Sequence, residues 1–361
     1  MKLTLDARPL SHSLSGIGRY TTEILKRIAP QCNLQMLTDE PLKTKIRPAG
    51  EKLIQRHKLP YSLSKLLWQQ QQIPQALKKE MPDVFWSPRH HLPLFGCKKI
   101  PMVLTIHDLV YRKMPETMKR SNWAMEKLLL AASTRRANHI IAVSHATKQS
   151  LIEELNVPEH KISVIHSAYV EPARVDLPQR AKPYILFLGT LEPRKNIERL
   201  IDAYLALPLY LQEKYDLVLA GNLGWKSEKL QAKIAAHANK IDTIGFVEDA
   251  VAVGLLSQAR CFAFPSLYEG FGLPLLEAMR FDCPVLTSTD PACMEVSGDA
   301  ALHIDPLSVD SIAQGLQKIL EDDLLCETLI QNGRANLQRF SWDISADQHL
   351  KVFKDIMRGG G

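Results

Sequence analysis

Short apolar runs alternate with amphipathic helical stretches along almost the whole chain, and this alternation limits the fold more than any other feature. Apolar runs bounded by turn residues read as buried strands, and stretches with apolar positions three and four apart read as helices. In the first half, strands are expected at 2–6, 33–37, 84–86, 102–106, 140–143 and 162–165, and helices at 18–28, 63–72, 121–137 and 146–154. The pattern breaks between Glu171 and Pro183, where Pro172, Pro178 and Pro183 stand among mixed charges and read as a linker. A second series follows, with strands at 184–188, 217–220, 241–244, 261–264 and 285–287 and late helices at 308–322 and 324–338. The same grammar used twice predicts an α/β chain of two Rossmann-like, doubly wound domains. Its 361 residues suffice for two such domains at about 150 residues each. The expected division is 1–176, 177–340 and a last helical segment 341–358, which Ser341 or Asp343 can cap.

Composition narrows the function. Apolar content of 45% and charged content of 23% fit a globular enzyme. No run reaches the ~20 apolar residues of a membrane span, and the first residues read as a strand, not a signal peptide. The six cysteines (Cys32, Cys97, Cys261, Cys283, Cys293, Cys326) are scattered with no C-x-x-C pair, which points to reduced thiols in the cytoplasm and away from a zinc site. The net charge of +6 is mild. Basic clusters at 43–47 and from Lys113 to Arg120 suit either a solvated face or contact with anionic lipid, on the inner membrane face, or with a lipid-linked phosphate acceptor. Basic segments interleaved with aromatics are missing, so nucleic acid is not an expected partner.

Chemistry concentrates in Tyr268-Glu269-Gly270-Phe271-Gly272-Leu273-Pro274-Leu275-Leu276-Glu277. On one continuous helix the two glutamates would stand roughly 80° apart and serve no common ligand. Gly270, Gly272 and Pro274 exclude that helix, and Pro274 is expected to open a new one at its first position. Glu269 then belongs to a loop and Glu277 to the following helix, with backbone N–H groups between them at a helix start that favours an anion. The segment resembles the E-x7-E signature of the family 4 retaining glycosyltransferases, which have the two-Rossmann-domain GT-B fold. The resemblance implies that Glu269 lies by the transferred sugar as a catalytic residue, and that Glu277 binds the ribose. It also implies that the Gly270, Phe271, Gly272 and Leu273 amides face the donor. By the same resemblance, 1–176 is the acceptor side, 177–340 holds the donor, the two face a central cleft, and the last helix crosses back to the first domain.

Gly189-Thr190-Leu191-Glu192-Pro193-Arg194-Lys195-Asn196 follows an apolar run and places two adjacent cations before a helix. Departure of a nucleoside diphosphate leaves negative charge that cations neutralise without a metal. The match to the family's donor loop implies diphosphate binding by Arg194 and Lys195. Relatives that carry an arginine directly after the strand differ from this chain, and Arg194 is expected to replace it. No two aspartates stand two apart, as a metal-holding Asp-x-Asp pair requires, so no metal or other cofactor is expected.

His107 closes another apolar run, at a strand end where α/β sheets place ligands; the resemblance implies a catalytic role facing the donor sugar. Asp108 is expected to cap or orient. Gly16-Ile17-Gly18-Arg19 fails as a dinucleotide fingerprint because Thr21 takes the third glycine's place. The resemblance implies a glycine loop near the donor phosphates and the acceptor, with Arg19 meeting a phosphate; a simple tight turn is the alternative. Phe246 and Val247 match where relatives hold the nucleotide base through backbone groups, and 222–225 is a further loop candidate. His90 and His91 are expected to point to opposite faces of an extended segment and to share no ion.

The combined motifs resemble bacterial mannosyltransferases that build surface polysaccharide from GDP-mannose. A retaining hexosyl transfer to a glycan or polyprenyl-linked acceptor is therefore expected. A UDP-sugar donor, a sugar-nucleotide epimerase and a non-catalytic nucleotide-sugar-binding subunit are the alternatives.

Overall fold

Thirteen strands form among the described residues, all in parallel pairs. The computed structural model describes residues 1–11, 16–43, 50–54, 61–170, 177–224 and 227–358. Strands β1 (Lys2–Asp6), β2 (Asn33–Thr38), β3 (Gly50–Leu53), β4 (Val84–Ser87), β5 (Met102–Ile106), β6 (His139–Ala142) and β7 (Ile162–Val164) make one sheet, in the order β3-β2-β1-β4-β5-β6-β7. Strands β8 (Tyr184–Leu188), β9 (Asp216–Ala220), β10 (Ile241–Gly245), β11 (Cys261–Phe264), β12 (Val285–Ser288) and β13 (Ala301–Ile304) make the other, ordered β10-β9-β8-β11-β12-β13. Strands such as β5, β11 and β12 are buried along their whole length, as parallel strands covered by helices on both faces must be.

Two strands lie outside the expected set. Gly50–Leu53 contains adjacent Glu51 and Lys52, so its sequence has no apolar run, and it sits at a sheet edge. Ala301–Ile304 is also an edge strand, half-buried at its centre, and His303 interrupts its apolar pattern.

The chain forms two compact units. One comprises Met1–Arg112, Arg120–Ser167 and the chain from Ser341 onward; the other comprises Lys113–Lys119 and Ala168–Phe340. The exchange at Ser167/Ala168 comes ahead of the expected boundary, because Ala168 to Val170 already pack with the second unit. Residues 171–176 of the expected linker lie outside the described residues.

The helix Trp342–Arg358 belongs to the first unit despite its place at the end of the chain. His349 is fully buried there, and burial pushes its imidazole down to about 4, so it is neutral. Its Nδ1 donates to Ser345 O at 2.6 Å, and Nε2 accepts from the Tyr20 hydroxyl at 2.6 Å. Trp86 and Phe353 pack around it. Replacing His349→Leu leaves the buried Tyr20 hydroxyl only its longer contact to Thr105 Oγ1 at 3.3 Å and is expected to cost about 1–3 kcal/mol, measured by urea denaturation. A loss below about 0.5 kcal/mol would contradict this anchoring role.

Candidate active site

Each sheet reverses its strand order once, between β1 and β4 in the first unit and between β8 and β11 in the second. Loops leaving the carboxyl ends of such a strand pair diverge to opposite faces and open a crevice, where doubly wound folds bind ligands. In the second unit those loops are Gly189–Asn196 and Pro265–Gly272. Glu269 and the two cations therefore meet, although 74 residues separate Lys195 from Glu269.

Glu269 is 8% exposed. Lys195 Nζ donates to Glu269 Oε1 at 2.6 Å, and Arg194 Nη1 lies 2.8 Å from Oε2. Arg194 also donates to Tyr268 O and, through Nη2, to Glu192 Oε1, each at 2.8 Å. Burial would raise the Glu269 carboxyl, but Arg194 and Lys195 outweigh it and hold it at about 2. Burial pulls the Lys195 ammonium down, against the opposing pull of Glu269, and the Phe264 ring lies 4.4 Å beneath it. Two carboxylates and two cations thus form a charge-balanced buried cluster, with both cations on one carboxylate.

Asn196 fixes the loop. It takes φ +62°, and its side-chain amide donates to Pro265 O at 3.1 Å and Pro306 O at 2.6 Å, tying the loop to those after β11 and β13. Leu191 and Leu223 pair in parallel, and Leu191 N–H donates to Asn222 O at 2.8 Å, so the loop after β9 continues the sheet alongside. Trp225 of that candidate loop lies outside the described residues.

Helix Leu273–Arg280 opens after Gly272, whose φ of +96° gives the chain a turn that L side chains rarely adopt. Pro274 takes the second helical position, not the first, because Gly272 reverses the chain one residue earlier than the proline requires. Gly272 has no side chain to cap the first turn. Phe271 is buried edge-on against Phe340 at 5.8 Å, so its ring serves packing. Glu277 is half-buried about one turn into the helix. Phe246 and Val247 follow β10, and the Phe246 side chain is 68% exposed.

Sequence reasoning missed Asp290. It is 7% exposed and caps helix Pro291–Ser297, accepting from Ala292 and Cys293 N–H at 3.0 and 3.2 Å. Burial raises it to about 6, against the Cys293 amide, and the charge of nearby Glu269 pushes the same way. The Asp-Pro pair was a legible capping signal, but nothing in the sequence placed it near Glu269.

In the first unit, Gly16 and Gly18 lie in the first turn of helix Gly16–Ile28, so the expected glycine loop is already helical there. Arg19 is half-buried on the same turn. Asp108 accepts from Val110 N–H at 3.2 Å, a capping contact. His107 Nε2 lies 2.9 Å from Pro88 O; a carbonyl only accepts, so the proton is on Nε2 and Nδ1 presents a lone pair. Burial, with His90 adding, pushes His107 down to about 4 and keeps it neutral.

His90 and His91 do not point apart as an extended segment would require. Both reach Glu126 Oε2, at 3.4 Å from His90 Nδ1 and 3.3 Å from His91 Nε2. The chain bends from Pro88 to His90, so the alternation of an extended strand does not apply.

Two parallel doubly wound sheets, each with a crevice at its switch point, are the architecture of the GT-B fold. The chain belongs to glycosyltransferase family 4: residues 14–169 match the model "Glycosyltransferase Family 4" and residues 173–336 match "Glycosyl transferases group 1". It is 30% identical to O-antigen chain mannosyltransferase B of Escherichia coli, over 98% of this chain and 100% of that one. It is 31% identical to the serotype-specific mannosyltransferase WbdA of Escherichia coli over 63% of this chain, which spans 30% of that longer protein. The sucrose-phosphate synthase structure from Thermosynechococcus elongatus shares the fold, with TM-score 0.77 and 18% identity over 99% of this chain and 100% of that one.

Proposed function

We propose that this chain is a retaining mannosyltransferase that moves mannose from GDP-mannose to a glycan or polyprenyl-linked acceptor during assembly of cell-surface polysaccharide. The observation that carries the reading is the buried Glu269 carboxylate held between Arg194 and Lys195 at the switch point of the second unit. Its relatives' names supply the sugar and the polymer. In this reading Lys195 and Arg194 turn toward the diphosphate, Glu277 takes the ribose hydroxyls, and the backbone at Phe246 and Val247 takes the base. The Gly270–Leu273 amides and Glu269 hold the sugar. His107, neutral with Nδ1 as acceptor, takes a sugar hydroxyl, and Arg19 with the turn at Gly16 and Gly18 serves a phosphate. The acceptor oxygen forms its bond to the anomeric carbon as the bond to the leaving phosphate breaks, and that phosphate takes the hydroxyl proton. Glu269 steadies the positive charge on the sugar. No metal is needed, since the cations meet the leaving charge.

Work at the inner membrane face, from the cytoplasm, is part of the same proposal. Among the described residues no helix is long and apolar enough to cross a membrane. Helix Arg120–Arg136 exposes Arg120, Lys127 and Leu128, a mixed basic and apolar face suited to anionic lipid. The cluster at 43–47 lies outside the described residues beyond Lys43.

Thermal-shift screening tests the donor. GDP and GDP-mannose at 100 times their dissociation constant are expected to stabilise the protein by about 2.7 kcal/mol without added metal. A shift with uridine compounds alone would overturn the mannose donor, and no shift with either would overturn the donor site.

A further inference from the structure

We propose that Glu126 is a positioning residue for His107, acting through His90 to fix the histidine's main chain and ring. The inference rests on the reading that His107 meets the donor sugar. His107 is gripped twice by one short segment: its N–H donates to His90 Nε2 at 3.1 Å, and its ring Nε2–H donates to Pro88 O at 2.9 Å. A backbone N–H only donates, so His90 Nε2 carries a lone pair and the single His90 proton sits on Nδ1. That proton faces Glu126 Oε2, which also meets His91. Ser87 Oγ closes the turn from within, donating to Arg89 O and His91 O at 3.1 and 2.9 Å. The carboxylate of helix Arg120–Arg136 thus selects the one His90 tautomer that can accept from His107.

Without Glu126 the Nδ1 proton faces no carboxylate, and the preference for that tautomer falls to what the His107 N–H alone supplies. With the proton on Nε2, two donors would face each other and the His107 amide would lose its acceptor in a buried place. A second proton on His90 would do the same. The charged and titratable groups facing His90 are Glu126, Asp108, Arg89, His107 and His91. Burial opposes the charged form, while Glu126 and Asp108 favour it and Arg89 disfavours it. Acid should therefore release His107 by protonating His90.

The test reads tautomers and turnover in the full chain. Long-range proton–nitrogen NMR of histidine-labelled protein at pH 8 is expected to find His90 protonated on Nδ1 in the wild type and a mixture with a populated Nε2-protonated form in E126L. E126L should lower kcat about 10- to 100-fold, the scale of a misplaced group, with donor KM unchanged. Adding His90→Gln should restore most of it, because the Gln carbonyl accepts from His107 N–H without a carboxylate. E126Q should move the acid limb of kcat to lower pH by removing the charge that favours protonated His90. An E126L protein that keeps the wild-type tautomer, or a double variant as impaired as the single, would overturn the proposal. H107Q is the separate control: full activity there would overturn the role of His107, while the NMR still decides the role of Glu126.

Discussion

Glu269→Gln is expected to lower sugar transfer by roughly 10²- to 10³-fold, the scale of removing one electrostatic contact to a transition state, while nucleotide binding survives. The amide keeps the shape but loses the charge that balances Arg194 and Lys195, which bond to it at 2.8 and 2.6 Å. Stability should change with it, and the sign follows from the carboxyl. Its folded value of about 2 lies below the ordinary 4.5, so its charge stabilises the fold fully above about 4.5, and that contribution fades as pH falls toward 2. The shift corresponds to about 3 kcal/mol. Urea denaturation should show a wild-type advantage of that order at pH 7, shrinking to about 1 kcal/mol at pH 3. A variant of unchanged turnover would sink the catalytic role, and an advantage independent of pH would sink the electrostatic account.

Gly221→Ala should leave the second unit largely unfolded. A Cβ at Gly221 would stand 1.8 Å from Gly189 O and 2.6 Å from Gly189 C, and φ is +149°. The backbone has little room to yield, because Gly189 N–H bonds Ala220 O at 2.9 Å and Gly221 N–H bonds Gly245 O at 2.7 Å. The two glycines let the chains leaving β8 and β9 touch, which sets the start of the loop carrying Arg194 and Lys195. A backbone clash of this kind belongs to the exceptional class above about 4 kcal/mol, against a whole stability of about 5–15 kcal/mol. Limited proteolysis and thermal melting check it. A melting point within about 3 °C of wild type would show that the clash relaxes; a loss of 1 kcal/mol alone moves a domain of this size by about that much.

Local signals were legible where the physics is local. Fully buried parallel strands such as Met102–Ile106 and Cys261–Phe264 announce themselves as apolar runs, since both faces are covered. Edge strands need not: Ile162–Val164 and Ile241–Gly245 were legible, whereas Gly50–Leu53 and Ala301–Ile304 escaped because Glu51-Lys52 and His303 break their apolar runs. The turn at Gly272, the helix behind it and the cap at Asp108 follow from residue types a few positions apart. The shared grip of Glu126 on His90 and His91 did not, because it depends on a bend at Pro88 and on a helix 36 residues away from His90.

The amino-acid order by itself determined two parallel α/β units, the loop that carries the cations and the glutamate pair spaced around a helix start. Only the tertiary structure decided that Glu269 lies between Arg194 and Lys195, that Asp290 stands beside it, and that Gly221 cannot carry a side chain. The reason is the strand order: β8 lies next to β9 on one side and β11 on the other, so loops far apart in sequence leave the sheet together. Propensity and periodicity act within a few residues, whereas a charge pair or a steric clash depends on which strands become neighbours.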